Sequence, residues 1–186
     1  LNAVIGVLLA LQARQVTGQG QLVEAALFDT GVSLLHPHIP NYLWSGKVPK
    51  ATGNAHPNIS PYDAFQTKTN AIYIAVGNNN QFLKLCQHLD LPTVPSDTRF
   101  ESNAQRCLYR AELKQILEER LLEFDGDSVA FDLIKAGVPC GPILNVEQIV
   151  QHPHTAHRQM VIGIGDDYQG IGSPIKLSHN PASYRT

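Results

Sequence analysis

The segment "TGNAHPNISPY", residues 52–62, holds the residue types that a ligand-binding loop uses. Gly53 and Asn54 allow the backbone to approach a ligand closely, and Pro57 and Pro61 reduce the number of conformations that binding must order. Four further side chains offer hydrogen-bonding groups: His56, Asn58, Ser60 and Tyr62. On composition alone, a functional loop and a plain connecting segment are equally well supported.

A second stretch, "RQVTGQGQLVEAALFD" at residues 14–29, begins as a phosphate-binding loop does, with two glycines around Gln19. The dinucleotide-binding fingerprint, however, needs a strand before the glycines and a helix directly after them. Here an apolar helix precedes the glycines, and Val23 stands where a third glycine is required. The stretch therefore predicts a turn from helix to strand, with Gly18 at the helix C-terminus.

Three histidines in "HPHTAHR", namely His152, His154 and His157, have the composition of a metal site. Pro153 keeps His152 out of a regular helix with the other two, and no cysteine or carboxylate is fixed beside them. We therefore expect a polar turn that caps a helix, and no bound metal. The motif "HPHIP" at residues 36–40 predicts a helix that its two prolines distort or end.

The composition argues against several functional classes. The 186 residues are 43% hydrophobic with a net charge of -2, so the chain has no basic field for nucleic acid. The three cysteines lack C-x-x-C spacing, which favours buried thiols in a reducing cytoplasm. The longest apolar stretch is too interrupted to cross a membrane. Because the sequence opens with Leu1 inside a helix, we expect a piece of a longer polypeptide.

Apolar periodicity divides the chain into three parts. Residues 1–45 predict a buried helix to Val16, a strand at 22–27 and a helix at 28–44, which is typical of the edge of an α/β layer. Residues 46–63 hold three prolines and two glycines and predict a linker. Residues 64–186 predict a compact α+β module.

Local signals place the elements of that module. A β-rich run at 71–76 precedes a helix whose N-cap is Asn78 or Asn79. Helical spacing predicts a long helix at 104–124 and a shorter one at 128–136, capped by Asp127 and closed by Gly137. Three further segments are expected to be extended: 138–144, 160–164 and 171–175.

Five ordered segments resemble the middle and C-terminal part of the family III CoA transferases, which include formyl-CoA and carnitine CoA transferases and α-methylacyl-CoA racemases. They are "ALQARQVTGQGQLVEAALFDT", "GNAHPNISPYDAF", "IYIAVGNNNQFLKLC", "AGVPCGPILNVEQIVQHPHTAHRQMV" and "GSPIKLS". The resemblance implies that 1–45 belong to a Rossmann-like large domain and that 46–63 are a linker with the active-site loop. It also implies that 64–186 form a small α+β domain and begin the return to the large domain.

The resemblance implies a chemistry as well. In these transferases an aspartate attacks an acyl-CoA thioester to form a mixed anhydride, and CoA then passes through an enzyme-bound thioester to an acceptor carboxylic acid. The enzymes are homodimers of interlocked rings. The CoA thioester is a substrate, so the resemblance implies no separate cofactor.

Only some of the family's functional residues can be assigned to positions in this sequence. The family's nucleophilic aspartate lies a few residues before the helix that opens this chain, and Asp29 does not match it. No catalytic residue is therefore assigned, and the isolated chain is expected to be inactive. Gly53, Asn54, His56 and Pro57 match the region of the family's active-site loop and are the candidate substrate-binding residues. Two alternatives stay open: an acyl-CoA racemase of the same family, and a non-catalytic binding or assembly module.

Overall fold

The computed structural model describes residues 1–165 and 168–184 and divides into two compact units, Leu1–Asn58 and Ile59–Thr186. Helices and strands are both present, as an α/β protein requires. No helix among the described residues is both long and apolar enough to span a membrane.

The first unit contains the helices α1 (Asn2–Thr17), α2 (Leu27–Ser33) and α3 (His38–Ser45). Gly18 ends α1 in the left-handed conformation, with φ of 73° and its N–H donating to Arg14 O, so the predicted cap is confirmed. The strand predicted at 22–27 is wrong. A strand needs a neighbour to take its backbone hydrogen bonds, and no described segment pairs with this one.

Two helices replace the single helix predicted at 28–44. The break falls at the predicted "HPHIP" motif, where Pro37 is the N-cap of α3 and the His36–Pro37 peptide bond is cis. Pro40 lies in the first turn of α3, where a backbone N–H has no partner within the helix in any case. The predicted effect is therefore confirmed at Pro37, whereas the prediction is wrong for Pro40, which lies inside α3 without ending it.

The apolar side chains of α1 are exposed, so the prediction of a buried helix is wrong for the described chain. Leu8 and Leu9 are 61% and 65% exposed, and no residue of α1 is buried. Trp44 on α3 is 94% exposed. A helix that is apolar on every side is normally covered by other protein. The first unit thus presents apolar surface that its own described residues do not cover.

The second unit is built on a three-stranded antiparallel sheet with the order β1 (Tyr62–Phe65), β2 (Ile72–Ala75), β3 (Cys140–Pro142). Phe65 pairs with Ile72, and Ile74 pairs with Cys140. Ile72 and Ile74 are both buried, because alternate residues of a strand face the same side. The strand predicted at 71–76 is confirmed.

Helices cover this sheet: α4 (Asn79–His88), α5 (Asn103–Leu108), α6 (Arg110–Leu121) and α7 (Gly126–Lys135), with a 3₁₀ helix at Val94–Ser96. The helix predicted at 104–124 is in fact α5 and α6, divided at Tyr109. On α6 the buried residues recur every four positions, at Leu113, Leu117 and Leu121. They join a core that includes Phe65, Phe82, Leu85, Phe100, Val129 and Leu133.

Side-chain caps fix where these helices begin. Asn78 accepts a hydrogen bond from the Gln81 N–H at 3.0 Å, which confirms the N-cap predicted for α4. Asp125, and not the predicted Asp127, caps α7 by accepting from the Ser128 N–H at 2.9 Å. That bond holds the pKa of Asp125 below its usual range. Asp127 lies two residues further on, in the first turn of α7, and accepts from the Asn70 amide instead.

The chain after β3 forms two short helices and a hairpin. Helix α8 (Val146–Gln151) is followed by α9 (Pro153–His157), whose N-cap is His152. Strands β4 (Val161–Ile164) and β5 (Tyr168–Ile171) pair antiparallel. The extended segment predicted at 160–164 is confirmed, whereas the one predicted at 171–175 is displaced toward the N-terminus.

A buried guanidinium links the start of β1 to the helical layer. Arg106 is 1% exposed and donates to three acceptors, namely Ser60 O at 2.8 Å, Phe100 O at 3.0 Å and Asn79 Oδ1 at 2.8 Å. Its carbon Cζ lies 4.4 Å from the centre of the Phe82 ring. Burial lowers the pKa of Arg106. The side chain therefore bonds acceptors from three separate parts of the second unit, two of them buried carbonyls.

We predict that Arg106→Met destabilises the chain by about 3 kcal/mol, because two buried carbonyl acceptors, Ser60 O and Phe100 O, lose their donor. The matched control is Arg99→Met, since Arg99 is partly exposed and pairs with Asp97 on the surface. That control is expected to cost less than about 1 kcal/mol. Urea unfolding of both variants measures the difference in the free energy of unfolding. Equal losses would show that the buried hydrogen bonds of Arg106 do not stabilise the second unit.

We predict that alkaline pH destabilises the fold through Cys86. Burial raises the pKa of this thiol from 9.0 to about 12, so between these values the unfolded chain loses a proton that the folded chain keeps. The contribution of Cys86 to the free energy of unfolding is therefore complete below pH 9. It is lost as the pH rises toward 12, by up to about 1.4 kcal/mol per pH unit. Urea unfolding at several pH values should show a flatter decline for Cys86→Ala. The control Cys107→Ala, which removes a half-buried thiol, should keep the full decline, and identical slopes would refute the assignment.

Candidate functional site

A tight turn opens the candidate binding loop. The Ala55 N–H donates to Thr52 O at 3.2 Å, and the Thr52 hydroxyl donates back to Ala55 O at 2.8 Å. Gly53 has φ of 64°, the sign that a type II′ turn requires at this position. Apart from its chain neighbours, no atom of the described residues lies within 4 Å of a Cβ built on Gly53. A glycine is therefore needed for the backbone conformation, and its open side leaves room for a ligand.

The residues after the turn hold one another in place. The Asn58 N–H donates to His56 Nδ1 at 3.1 Å, so the neutral His56 ring carries its proton on Nε2. His56 and Pro57 are half-buried, while Asn54 is exposed. The loop thus offers an amide and an oriented imidazole.

Two amides fasten the loop to α3. Asn41 Nδ2 donates to Asn58 Oδ1 at 2.9 Å, and Asn58 Nδ2 donates to Asn41 Oδ1 at 3.1 Å. This reciprocal pair joins residues 17 positions apart. It sets the path of the loop within the first unit.

An open cavity of about 820 Å³ lies between α3 and this segment. Its lining includes His38, Asn41, Trp44, Lys47, Lys50, Thr52, Pro57 and Asn58. Of the four sequence-predicted binding residues only Pro57 lines it, while Gly53, Asn54 and His56 are outside its lining. The sequence analysis did not single out the α3 side chains or the lysines. The sequence did hold a signal for the two lysines, because no acidic residue occurs between Asp29 and Asp63 to balance their charge.

The described lining of this cavity contains no carboxylate. Asp29 is exposed on α2 and lines a separate cavity of about 210 Å³ together with Asn2, Glu24 and Ser33. The loop and α3 can therefore bind and orient an anionic or polar ligand, but they supply no carboxylate nucleophile from their described residues. In the described part of the chain no cluster of three histidine, cysteine or acidic residues is arranged to hold a metal ion.

Comparison with known proteins finds relatives along the whole chain. A sequence model of CoA-transferase family III matches residues 1–186. The chain is 33% identical over 172 residues to a succinate-glutarate CoA-transferase of Agrobacterium fabrum. The matched region covers 90% of this chain and 43% of that protein. It is 34% identical over 173 residues to an acetyl-CoA:oxalate CoA-transferase of Acetobacter aceti, which covers 93% of this chain and 44% of that protein.

A solved structure agrees with these relatives. A CAIB/BAIF family protein from Brucella suis is 39% identical and superposes with a TM-score of 0.74, over 96% of this chain and 47% of that one. The mixed helix and strand content is therefore that of an α/β fold of this type. The chain spans less than half the length of each of these three relatives.

Proposed function

This chain belongs to CoA-transferase family III, and on that basis we propose that it is part of an enzyme that moves CoA from an acyl-CoA thioester to a carboxylic acid. The observation that carries the proposal is the family match over all 186 residues, joined to curated CoA-transferases at 33% and 34% identity. The loop at Gly53–Pro57 is the part of this chain assigned to the acyl-CoA.

The names of the relatives support dicarboxylic acids as the substrate class. One is named for succinate and glutarate, and another for acetyl-CoA and oxalate. Succinate, glutarate and oxalate each carry two carboxylates. We therefore assign a dicarboxylic acid to at least one side of the exchange.

In the proposed reaction an aspartate carboxylate attacks the thioester carbonyl, which forms a mixed anhydride and releases CoA thiolate. The thiolate then attacks the carbonyl that derives from the aspartate, so the first acid leaves and an enzyme-bound thioester forms. The acceptor carboxylate displaces this thioester to give a new anhydride, from which CoA thiolate takes the acceptor acyl group. Residues outside the described cavity lining supply the aspartate.

This chain's contribution to the reaction is positioning and shielding. The space beside the Gly53 Cα is open, and backbone N–H groups stabilise the oxyanion of an acyl transfer when they face it. The amide pair between Asn41 and Asn58 limits the movement of the loop. A loop held in this way excludes water from a reactive anhydride.

The proposal extends to the domains and the assembly. Residues 1–45 are assigned to a Rossmann-like large domain, 46–63 to the linker and active-site loop, and 64–186 to a small α+β domain. Other parts of the enzyme, or a second copy in an interlocked homodimer, cover the apolar side chains of α1 that are exposed here, such as Leu8 and Leu9.

We predict that His56→Ala and Asn54→Ala each lower kcat by roughly tenfold to a thousandfold in an enzyme of the relatives' length, with folding intact. The expected cause is the loss of positioning or of a hydrogen-bond donor at the acyl group. Steady-state transfer from succinyl-CoA to glutarate measures the effect. The exposed pair His179→Ala and Asn180→Ala is the matched control. Unchanged kcat and KM in both loop variants would reduce the loop to a linker.

We also predict that the 186-residue chain alone transfers no CoA, because the described lining beside the loop holds no carboxylate. Chromatography of CoA esters after incubation with succinyl-CoA and glutarate checks this. Turnover by the chain alone, lost on replacing one of its own Asp or Glu residues, would contradict the prediction.

A further inference from the structure

The cavity beside α3 is positively charged without local compensation. Lys47 and Lys50 line it, and neither forms an ion pair with any described residue. By contrast, Lys114 in the second unit pairs with Asp63 at 2.9 Å. Because no acidic residue occurs between Asp29 and Asp63, the charge of these two lysines is not balanced within their own segment. An anion that enters the cavity meets attraction from both.

A buried nitrogen points to the same ligand chemistry. His38 Nδ1 is buried and has no hydrogen-bond partner in the described part of the chain. His38 lines both this cavity and an adjoining one of about 370 Å³, which Lys50 also lines. Buried polar atoms are normally paired, so an unpaired one beside a cavity calls for a ligand or a water. As a donor, Nδ1–H would bond to an anionic oxygen between the lysines.

The remaining wall suits a short carbon chain. Trp44 lines the cavity and is 94% exposed as a residue. Its indole ring therefore offers an apolar face to methylene groups of a ligand. Pro57 lines the same cavity and directly follows His56 in the candidate loop. A ligand can thus present one polar end to the lysines while its carbon chain lies toward the loop.

We propose that this cavity binds the remote carboxylate of a dicarboxylic acid, with Lys47, Lys50 and His38 as its partners. The use of that ligand in CoA transfer rests on the proposed function, whereas the binding site itself does not. The alternative source of an anion is a phosphate group of CoA, and the same cations would attract it. The two alternatives can be distinguished in the absence of CoA. A carboxylate site then binds a free dicarboxylic acid, whereas a phosphate site binds a free nucleotide phosphate.

The test is direct binding to the 186-residue chain without CoA, measured by ligand-observed NMR. The probes are glutarate, pentanamide and ADP. Pentanamide matches the length of glutarate but carries no carboxylate. We expect glutarate to bind at least tenfold more tightly than pentanamide, and ADP not to displace it. Equal affinity for glutarate and pentanamide, or displacement of glutarate by ADP, would overturn the proposal.

Variants locate the site. Lys47→Gln combined with Lys50→Gln should weaken glutarate binding at least tenfold and leave the binding of neutral pentanamide unchanged, while Lys47→Arg combined with Lys50→Arg should retain glutarate binding. The control pair Lys68→Gln and Lys176→Gln removes two exposed lysines elsewhere and should have no effect. Circular dichroism confirms that each variant is folded. Equal glutarate affinity in the Gln pair and the control pair would place the site elsewhere.

The two proposals fail separately. If glutarate binds as expected but the longer enzyme transfers no CoA, the proposed function fails and the carboxylate site remains. If transfer occurs but glutarate binding is insensitive to Lys47 and Lys50, the site fails and the proposed function remains.

Discussion

The buried guanidinium of Arg106 is the interaction on which the second unit depends most. Ser60 is held from two directions, since its carbonyl accepts from Arg106 and its N–H donates to Asn103 Oδ1 at 3.1 Å. The same guanidinium bonds the first residue of α4 through Asn79 and the carbonyl of Phe100. A single α5 side chain therefore fixes where β1 begins. The path of the chain just after the candidate loop follows from that constraint.

The first unit is held by weaker and more exposed contacts. Its loop depends on a turn at Gly53 and on one reciprocal pair of exposed amides, Asn41 and Asn58. Exposed hydrogen bonds of this kind contribute little to stability but still select one conformation. None of the apolar side chains of α1 is buried among the described residues, so burial stabilises this unit less than the second.

Features with local causes could be predicted from the sequence. The cap at Asn78 and the left-handed Gly18 depend on neighbouring residues, and the apolar run at 71–76 indicated its strand although that strand pairs with the distant Cys140. The strand expected at 22–27 depended on a distant partner and is absent from the described residues. Composition suggested the loop at Gly53, but the folded chain alone brings α3, Lys47 and Lys50 around one cavity. The break at Tyr109 and the role of Arg106 likewise follow from tertiary packing, which overrides helical periodicity.

We propose that residues 53–57 contact the acyl-CoA in a family III CoA-transferase. The most direct measurement is photochemical labelling of an enzyme of the relatives' length with an acyl-CoA that carries a diazirine on its acyl chain, followed by peptide mass spectrometry. We predict adducts on the peptide that contains Gly53 and His56, and their loss when unlabelled succinyl-CoA is in excess. Adducts confined to peptides outside residues 46–62, under the same competition, would contradict the account.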